Sequence, residues 1–535
     1  MILSDARKAQ DFLDQHIQRN MACWVVFFLC AGFALRCALT SVDPLNTDEA
    51  YYYHIGNQPT LFETWKQSLV TVHPPLFCFV VRYWEMLGHS ELFLRILPAA
   101  LGVLAAFMAY RWIGSLLNHA PTGLFALVFA CCAPFPLGIS IELRQYTLLL
   151  LLTFSALYLF ERQRYYLAAI ACTAAILTHY SALFLLPYFP VLLLVRYYLS
   201  RRLDWRSICR ACLPLLLPIA VFTAMYFIHI RHFSAAEVRE AKENWMAAGY
   251  FHPGAETVGS FVASRIYAVL ASQYSYLSWH RLAIVGLVLT CGLWRRLTPK
   301  FIGAALCYSV AALVILLMAA ALAVLGYYPL SPTRHSSILL PFTLPAVCLL
   351  LTHLCRGRSS WILVLSIVLV SGFLWSDHSL DPLFHNNGRK ADTARMVAIL
   401  RSVAGNGKLV FTDHSSAVVL NYYLEPGRSA PLILTLPGGP FYDYWWRGVH
   451  VVSSSSVLWR SPESFLQDLA TLGKQRDLGE GIYVVNAGFS KPLAPALAFQ
   501  RQPPVHWLVR NSETPEMFWM PLGGAQQVPA VGAQP

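Results

Sequence analysis

Long apolar runs recur through the first 376 residues, and they leave few folds open. They cover 21–39, 94–112, 121–140, 145–160, 165–179, 181–198, 209–229, 281–294, 301–325, 336–354 and 361–376. A helix of about 20 apolar residues crosses the ~30 Å hydrocarbon core of a bilayer, so the runs predict about eleven crossings. Composition agrees. Of 535 residues, 56% are hydrophobic and only 13% are charged, about half the ~25% usual in soluble domains. The expected fold class is an α-helical polytopic membrane protein. Segment 74–88 is also apolar but carries Arg82 and Glu85; it reads as a helix lying in the membrane interface.

Charge placement gives the orientation. With the N-terminus in the cytoplasm and eleven spans, the basic loops all fall on the cytoplasmic side. They hold Arg162 and Arg164; Arg196, Arg201, Arg202, Arg206 and Arg210; Arg295, Arg296 and Lys300; Arg356 and Arg358. That is the bias of cytoplasmic loops toward Lys and Arg. Counting 74–88 as a span would invert every later loop. The net charge of +12 is thus explained by topology and anionic lipid, and no nucleic-acid partner is expected. The opposite face then collects Asp48, Glu49, His73, Glu142, Arg144, Tyr146, His179, Tyr180, Arg334, His335, a long loop over 230–280, and the C-terminal region.

From about Asp377 the composition turns soluble, and residues 377–535 contain none of the 13 cysteines. Short β-type runs (Lys408–Thr412, Val449–Val452, Ile482–Asn486) alternate with helix-like ones (Arg389–Val403, Pro462–Leu472). That alternation predicts a small α/β domain. The expected organisation is a cytoplasmic segment 1–20, a transmembrane domain 21–376 with a first outer loop 40–93, a soluble α/β domain 377–522 and a disordered tail 523–535.

Ionised groups at a membrane edge are costly and usually have a task. Asp48 and Glu49 form a carboxylate pair just after the first span, where one could take a proton; the bland alternative is a solvated helix cap. His73-Pro74-Pro75 fixes a turn before the interfacial helix. Arg144, between Glu142 and Tyr146, has the planar fork that suits phosphate; Arg334 and His335 form a second basic spot. His179 and Tyr180, at a helix end, are candidates to orient a substrate or to cap. Arg36 near the end of the first span is expected to snorkel. Trp245, Tyr250, His252, Arg265, Tyr267 and Tyr274 give the 230–280 loop the composition of a mobile lid or of an aromatic belt. Asp48, Glu49, His54 and His73 include residue types that could hold a divalent cation.

The motifs resemble a known family. TDEAYYYHIG followed by HPPLF, then SIELRQYTLLLL, THYSALFLL and PTRHSSILLPFTLP, are similar in kind and order to the GT-C membrane glycosyltransferases of the protein O-mannosyltransferase type. They include the bacterial transferases that put aminoarabinose on lipid A. The resemblance covers roughly residues 20–376; the C-terminal domain carries none. It implies a bacterial inner-membrane enzyme with that domain in the periplasm. It implies a polyprenyl-phosphate sugar donor, a lipid, glycan or protein acceptor, and inversion at the anomeric carbon. It implies Asp48 as general base, and a site that works without a metal cofactor, although other GT-C enzymes use a divalent cation. A flippase for lipid-linked saccharide, a glycan polymerase or ligase, and a non-catalytic scaffold are the competing readings. The apolar span centres argue against a transport path.

Overall fold

The computed structural model describes residues 2–200, 205–233, 239, 242–243, 246–274, 299–376, 378, 380–384, 388–427, 439–488, 493, 506–509 and 515–522. The chain divides into two compact units. One comprises Met1–Thr40, Thr71–Phe77 and Arg95–Asp381; the other comprises Ser41–Val70, Cys78–Leu94 and Pro382–Pro535. Residues 41–70 and 78–94, which the sequence groups with the spans, therefore pack with the C-terminal region.

The first unit is helical. Its described helices begin with α1 (Ile2–Arg19) and α2 (Met21–Thr40). The second unit contributes α3 (Thr47–Gly56) and α4 (Leu61–Ser68), and α5 (Leu76–Glu85) bridges the dividing point at 77. Next come α6 (Glu91–Leu116), α7 (Thr122–Cys132), α8 (Pro134–Gly138), α9 (Tyr146–Glu161), α10 (Tyr165–Thr178) and α11 (Leu185–Ser200). Then follow α12 (Trp205–Cys212), α13 (Leu216–Ile228), α14 (Val258–Tyr274), α15 (Pro299–Val324), α16 (Leu339–Leu354) and α17 (Ser359–Ser376). Among the described residues seven helical segments are long and apolar enough to cross a membrane, and α7, α9 and α10 are shorter apolar helices. Ten of the eleven expected runs are thereby helical; 281–294 lies outside the described residues, as do Trp245 and the disordered-tail expectation for 523–535.

Three local expectations are corrected. The run 121–140 is two helices, because Ala133 precedes Pro134 and takes an extended conformation (φ −71°, ψ 150°), as clash with the proline ring dictates. The break strips α7 of partners for its last carbonyls. Arg36 does not snorkel: it is fully buried and supplies those partners. Its guanidinium donates to the carbonyls of Ala130 (2.7 Å), Cys131 (2.6 Å) and Gly32 (3.0 Å) and to Ser140 Oγ (2.8 Å). A cation at a helix C-terminus is favourable, and four acceptors keep it off apolar surface. Gly32 permits the approach, since a Cβ there would lie 2.8 Å from the Cys131 Cβ. The 230–280 stretch is also no plain loop. It contains α14, whose Tyr274 is buried and hydrogen-bonded to Thr343 at 2.8 Å.

The far ends of the spans carry their own charge network. Arg196 donates to Glu161 (2.6 Å) and Tyr308 (2.5 Å), and Tyr308 donates to Glu161 (2.6 Å). Helix α1 docks there too in chemistry: Asp14 Oδ1 accepts from Ser360 N at 2.8 Å, capping the start of α17, and Arg358 pairs with Asp11 at 3.0 Å.

The second unit is built on a six-stranded sheet in the order β2-β3-β1-β4-β6-β5. The strands are β1 (Leu409–Thr412), β2 (Phe441–Trp446), β3 (Val449–Ser454), β4 (Gly481–Asn486), β5 (His506–Val509) and β6 (Glu516–Pro521). The central β3, β1 and β4 are parallel; the other pairings are antiparallel. After the short α18 (Asp381–Phe384), helices α19 (Arg389–Ser402) and α20 (His414–Leu424) bury Met396, Leu400, Leu420 and Leu424 on one face. Helix α21 (Pro462–Gln475) buries Phe465, Leu469 and Leu472 on the other. This is the expected α/β domain, and every β-type and helix-like run named from the sequence is present.

Candidate active site

Most of the candidate residues converge in the first unit. Helix α9 starts at Tyr146, α10 ends at Thr178, and a 3₁₀ turn over Arg334–Ile338 precedes α16. These ends bring Tyr146, His179 and His335 together: the ring centroids are 5.8 Å apart for Tyr146–His179, 5.9 Å for Tyr146–His335 and 6.4 Å for His179–His335. His73 joins them, 5.3 Å from His179. Arg144 is nearly buried, with its guanidinium carbon 5.7 Å from the Tyr146 ring. Arg334 pairs with Glu142 at 2.8 Å. Burial, with His179, Arg144, His335 and Arg334 as neighbouring charges, holds the His73 imidazole well below its usual range. The cations beside this ring are Arg144 and Arg334, since His179 and His335 are pushed toward neutral by the same burial.

His179 is the most informative member. It sits between α10 and a 3₁₀ turn (Tyr180–Phe184), and its Nδ1 accepts from Ser181 N (3.1 Å) and pairs with Ser181 Oγ (2.8 Å). A backbone N–H can only donate, so Nδ1 is bare and the proton of the neutral ring is on Nε2. That Nε2–H is buried and has no hydrogen-bond partner among the described residues. Buried donors are nearly always satisfied, so an orphan invites explanation. The helix-end role expected of His179 is seen at Nδ1, while Nε2 stays unused by the described residues.

Tyr180 faces elsewhere. Its hydroxyl meets His229 Nδ1 at 2.6 Å, and His229 Nε2 donates to the Thr71 carbonyl at 2.7 Å. The chain Tyr180–His229–Thr71 ties down the turn that carries His73, whose N–H reaches Thr71 Oγ1 at 3.4 Å. His229 had no motif to mark it; a lone histidine closing an apolar run was the only signal. In the 230–280 stretch the Gly249 carbonyl accepts from Leu330 N at 2.9 Å, which links the Tyr250 neighbourhood to the Tyr328–Arg334 segment.

Asp48 and Glu49 belong to the second unit, on α3, and they part company there. Asn46 caps the helix: its side chain accepts from Glu49 N (3.0 Å), and Glu49 Oε2 accepts from Asn46 N (3.0 Å). This reciprocal capping box commits the fully buried Glu49 to the helix start. Helix α3 is buried on almost every side. From Thr47 to Gly56 only Asp48 and Tyr51, one turn apart on the same face, keep partial exposure. His54 is fully buried and its Nε2–H donates to the Val418 carbonyl at 2.9 Å; burial lowers its pKa to about 4. Among the described residues no three His, Cys, Asp or Glu side chains converge as metal ligands would.

No protein-family model matches the sequence, and no curated protein matches it at significant similarity. Solved structures do. ArnT from Cupriavidus metallidurans bound to undecaprenyl phosphate superposes with a TM-score of 0.57 at 14% identity, over 93% of this chain and 97% of that one. The apo state of the same protein gives 0.51 at 15% identity, over 93% and 98%. The chain therefore has the ArnT fold, a bundle of apolar helices with a small C-terminal sheet domain.

Proposed function

We propose that this chain transfers a glycosyl residue from a polyprenyl-phosphate donor to an envelope acceptor (lipopolysaccharide, another glycan or a protein) on the outer face of the bacterial inner membrane. Asp48 takes the proton of the acceptor hydroxyl or amine. The acceptor heteroatom bonds to the anomeric carbon as the bond from that carbon to phosphate oxygen breaks, with inversion, and the polyprenyl phosphate leaves. Arg144 and the Nε2–H of His179 hold the phosphate as its charge grows, with Arg334 and His335 beside them. Such donors act most strongly on charge that develops in the transition state.

The observation that carries this reading is the buried His179 donor without an acceptor, in a pocket of Arg144, His73 and His335. An anion is the ligand that completes it, and the fold likeness to a protein seen with undecaprenyl phosphate supports the choice. The test has two arms. Purified full-length protein is titrated with undecaprenyl phosphate; Arg144→Ala should weaken binding strongly, and Arg144→Lys, which keeps charge but loses the fork, should recover part of it. Envelope glycans and glycoproteins from cells with and without the protein are compared by mass spectrometry, and one sugar should be missing. Normal binding by Arg144→Ala would move the phosphate to Arg334 and His335. An unchanged envelope would sink the transferase reading.

A further inference from the structure

In open α/β sheets the ligand crevice lies beyond the carboxyl ends of the parallel strands, where the connections diverge to opposite faces. In the C-terminal domain that place is beyond the carboxyl ends of β1 and its parallel neighbours β3 and β4, where α20 leaves β1 on one face and α21 follows β3 on the other. The chain itself closes the crevice. Ser416 Oγ accepts from Ala487 N (2.9 Å) and Gly488 N (3.0 Å), and Asp413 Oδ1 accepts from Ser416 N (2.7 Å). A Cβ on Gly488 would fall 2.1 Å from Ser415 Oγ, so only glycine lets these loops meet.

What lies against this edge is α3, the helix of Asp48. The Tyr51 ring packs on His414, at the mouth of β1, at 5.9 Å; His54 bonds to Val418; Tyr53 packs edge-on against Tyr422 at 5.0 Å. Burial and the nearby Asp413, Asp48 and Tyr444 push the Tyr51 phenol up, which places Tyr51 among all three. The supporting bonds are firm. Leu45 N donates to Tyr423 Oη (2.7 Å), Gly427 N to Tyr53 Oη (2.7 Å), and Tyr422 Oη to the His89 carbonyl (2.7 Å).

The contact is oddly polar for a buried one. His414 is 2% exposed, yet neither ring nitrogen has a hydrogen-bond partner among the described residues; nor does His54 Nδ1, nor the buried amide of Asn421, one helical turn after Val418 on α20. Such groups cost stability, and an apolar side chain of the same shape would remove the cost. Residues that lower stability without compensation concentrate where function requires them.

We propose that the C-terminal domain is a positioning platform for Asp48: its ligand edge is given over to α3, and His414 with Asn421 sets the placement of the Asp48–Tyr51 face. The proposal rests on the reading of Asp48 as base. His414 touches Tyr51, not the substrate, and is a positioning residue.

The test uses His414→Phe and Asn421→Leu in the full-length protein, with Asp48→Asn beside them. Three quantities are measured: thermal stability, affinity for undecaprenyl phosphate, and turnover. Turnover is read as polyprenyl phosphate released from the polyprenyl-phosphate sugars of the host's own lipid extract. Both platform variants should melt at the native temperature or above, bind undecaprenyl phosphate normally, and turn over at least tenfold more slowly. A merely structural role cannot raise stability while lowering turnover alone. Native turnover in both variants overturns the proposal, as does a joint fall of melting temperature and turnover. If Asp48→Asn turns over normally while the platform variants are slow, the base reading fails and the platform acts on another group. If Asp48→Asn is dead and the platform variants are native, the base reading stands and the platform does not.

Discussion

His179 offers a substitution pair that separates its two nitrogens. In His179→Asn the amide oxygen can sit where Nδ1 sits and still accept from Ser181 N, now bonded at 3.1 Å, but nothing remains at Nε2. In His179→Gln an amide N–H can reach the Nε2 position, while the acceptor for Ser181 is lost. A hydrogen bond to a charged group is worth about 1.5–3 kcal/mol, and each 1.4 kcal/mol is tenfold in affinity. His179→Asn should therefore bind undecaprenyl phosphate roughly ten- to a hundredfold more weakly, with its melting temperature nearly native. His179→Gln should show the reverse: binding largely kept, stability lowered by about 0.5–2 kcal/mol, the usual range for a lost cap. The assay is titration of purified protein with undecaprenyl phosphate, paired with thermal unfolding. Native binding by His179→Asn would refute the assignment, because the orphan donor would then not be the phosphate's.

Three further outcomes are expected. Asp48→Asn should lose about 10²-fold or more in transfer, as removal of a general base does, while Glu49→Gln, which can still accept from Asn46 N, should lose little; steady-state transfer by both variants decides. Arg36→Leu leaves the Ala130 and Cys131 carbonyls without their donor and should cost about 1–3 kcal/mol for each stranded acceptor, seen as a lower unfolding temperature in detergent. Acid should weaken the second unit: His54 titrates near 6.5 when unfolded and at about 4 when folded. The unfolded chain thus binds the extra proton below pH 6.5, and about 3 kcal/mol is lost between pH 6.5 and 4. His54→Phe should flatten that limb of the melting profile.

The spans were legible because apolar runs of bilayer length have few other uses. Ten of them appear as helices, and the central strands and two of the helices of the C-terminal domain were equally plain. The misses share a cause. Helix α20 reads HSSAVVLNYYL, rich in residues that favour strands, and only its Asp413 cap announced it. Arg36 looked like a snorkelling residue because the Pro134 break, which creates its acceptors, lies about a hundred residues away. Glu49 read as an assistant to Asp48 or a tie to a neighbouring side chain, and its reciprocal bond with Asn46 was not foreseen. His229 was invisible because its partners, Tyr180 and Thr71, are remote in sequence. Pairings at long range leave no periodic trace, and those are the ones that shape the site.

The order in which the chain is made gives the second unit one more consequence. Helix α3 emerges from the ribosome early, but the carbonyl that receives His54 is 364 residues later, and the N–H that meets Tyr53 is 374 residues later. Domains generally fold from the N-terminus during synthesis, so the spans can insert long before Asp48 has a finished support. A nascent or prematurely terminated chain would hold α3, and with it Asp48, without these partners. On the proposed function, transfer would then wait for the completed second unit.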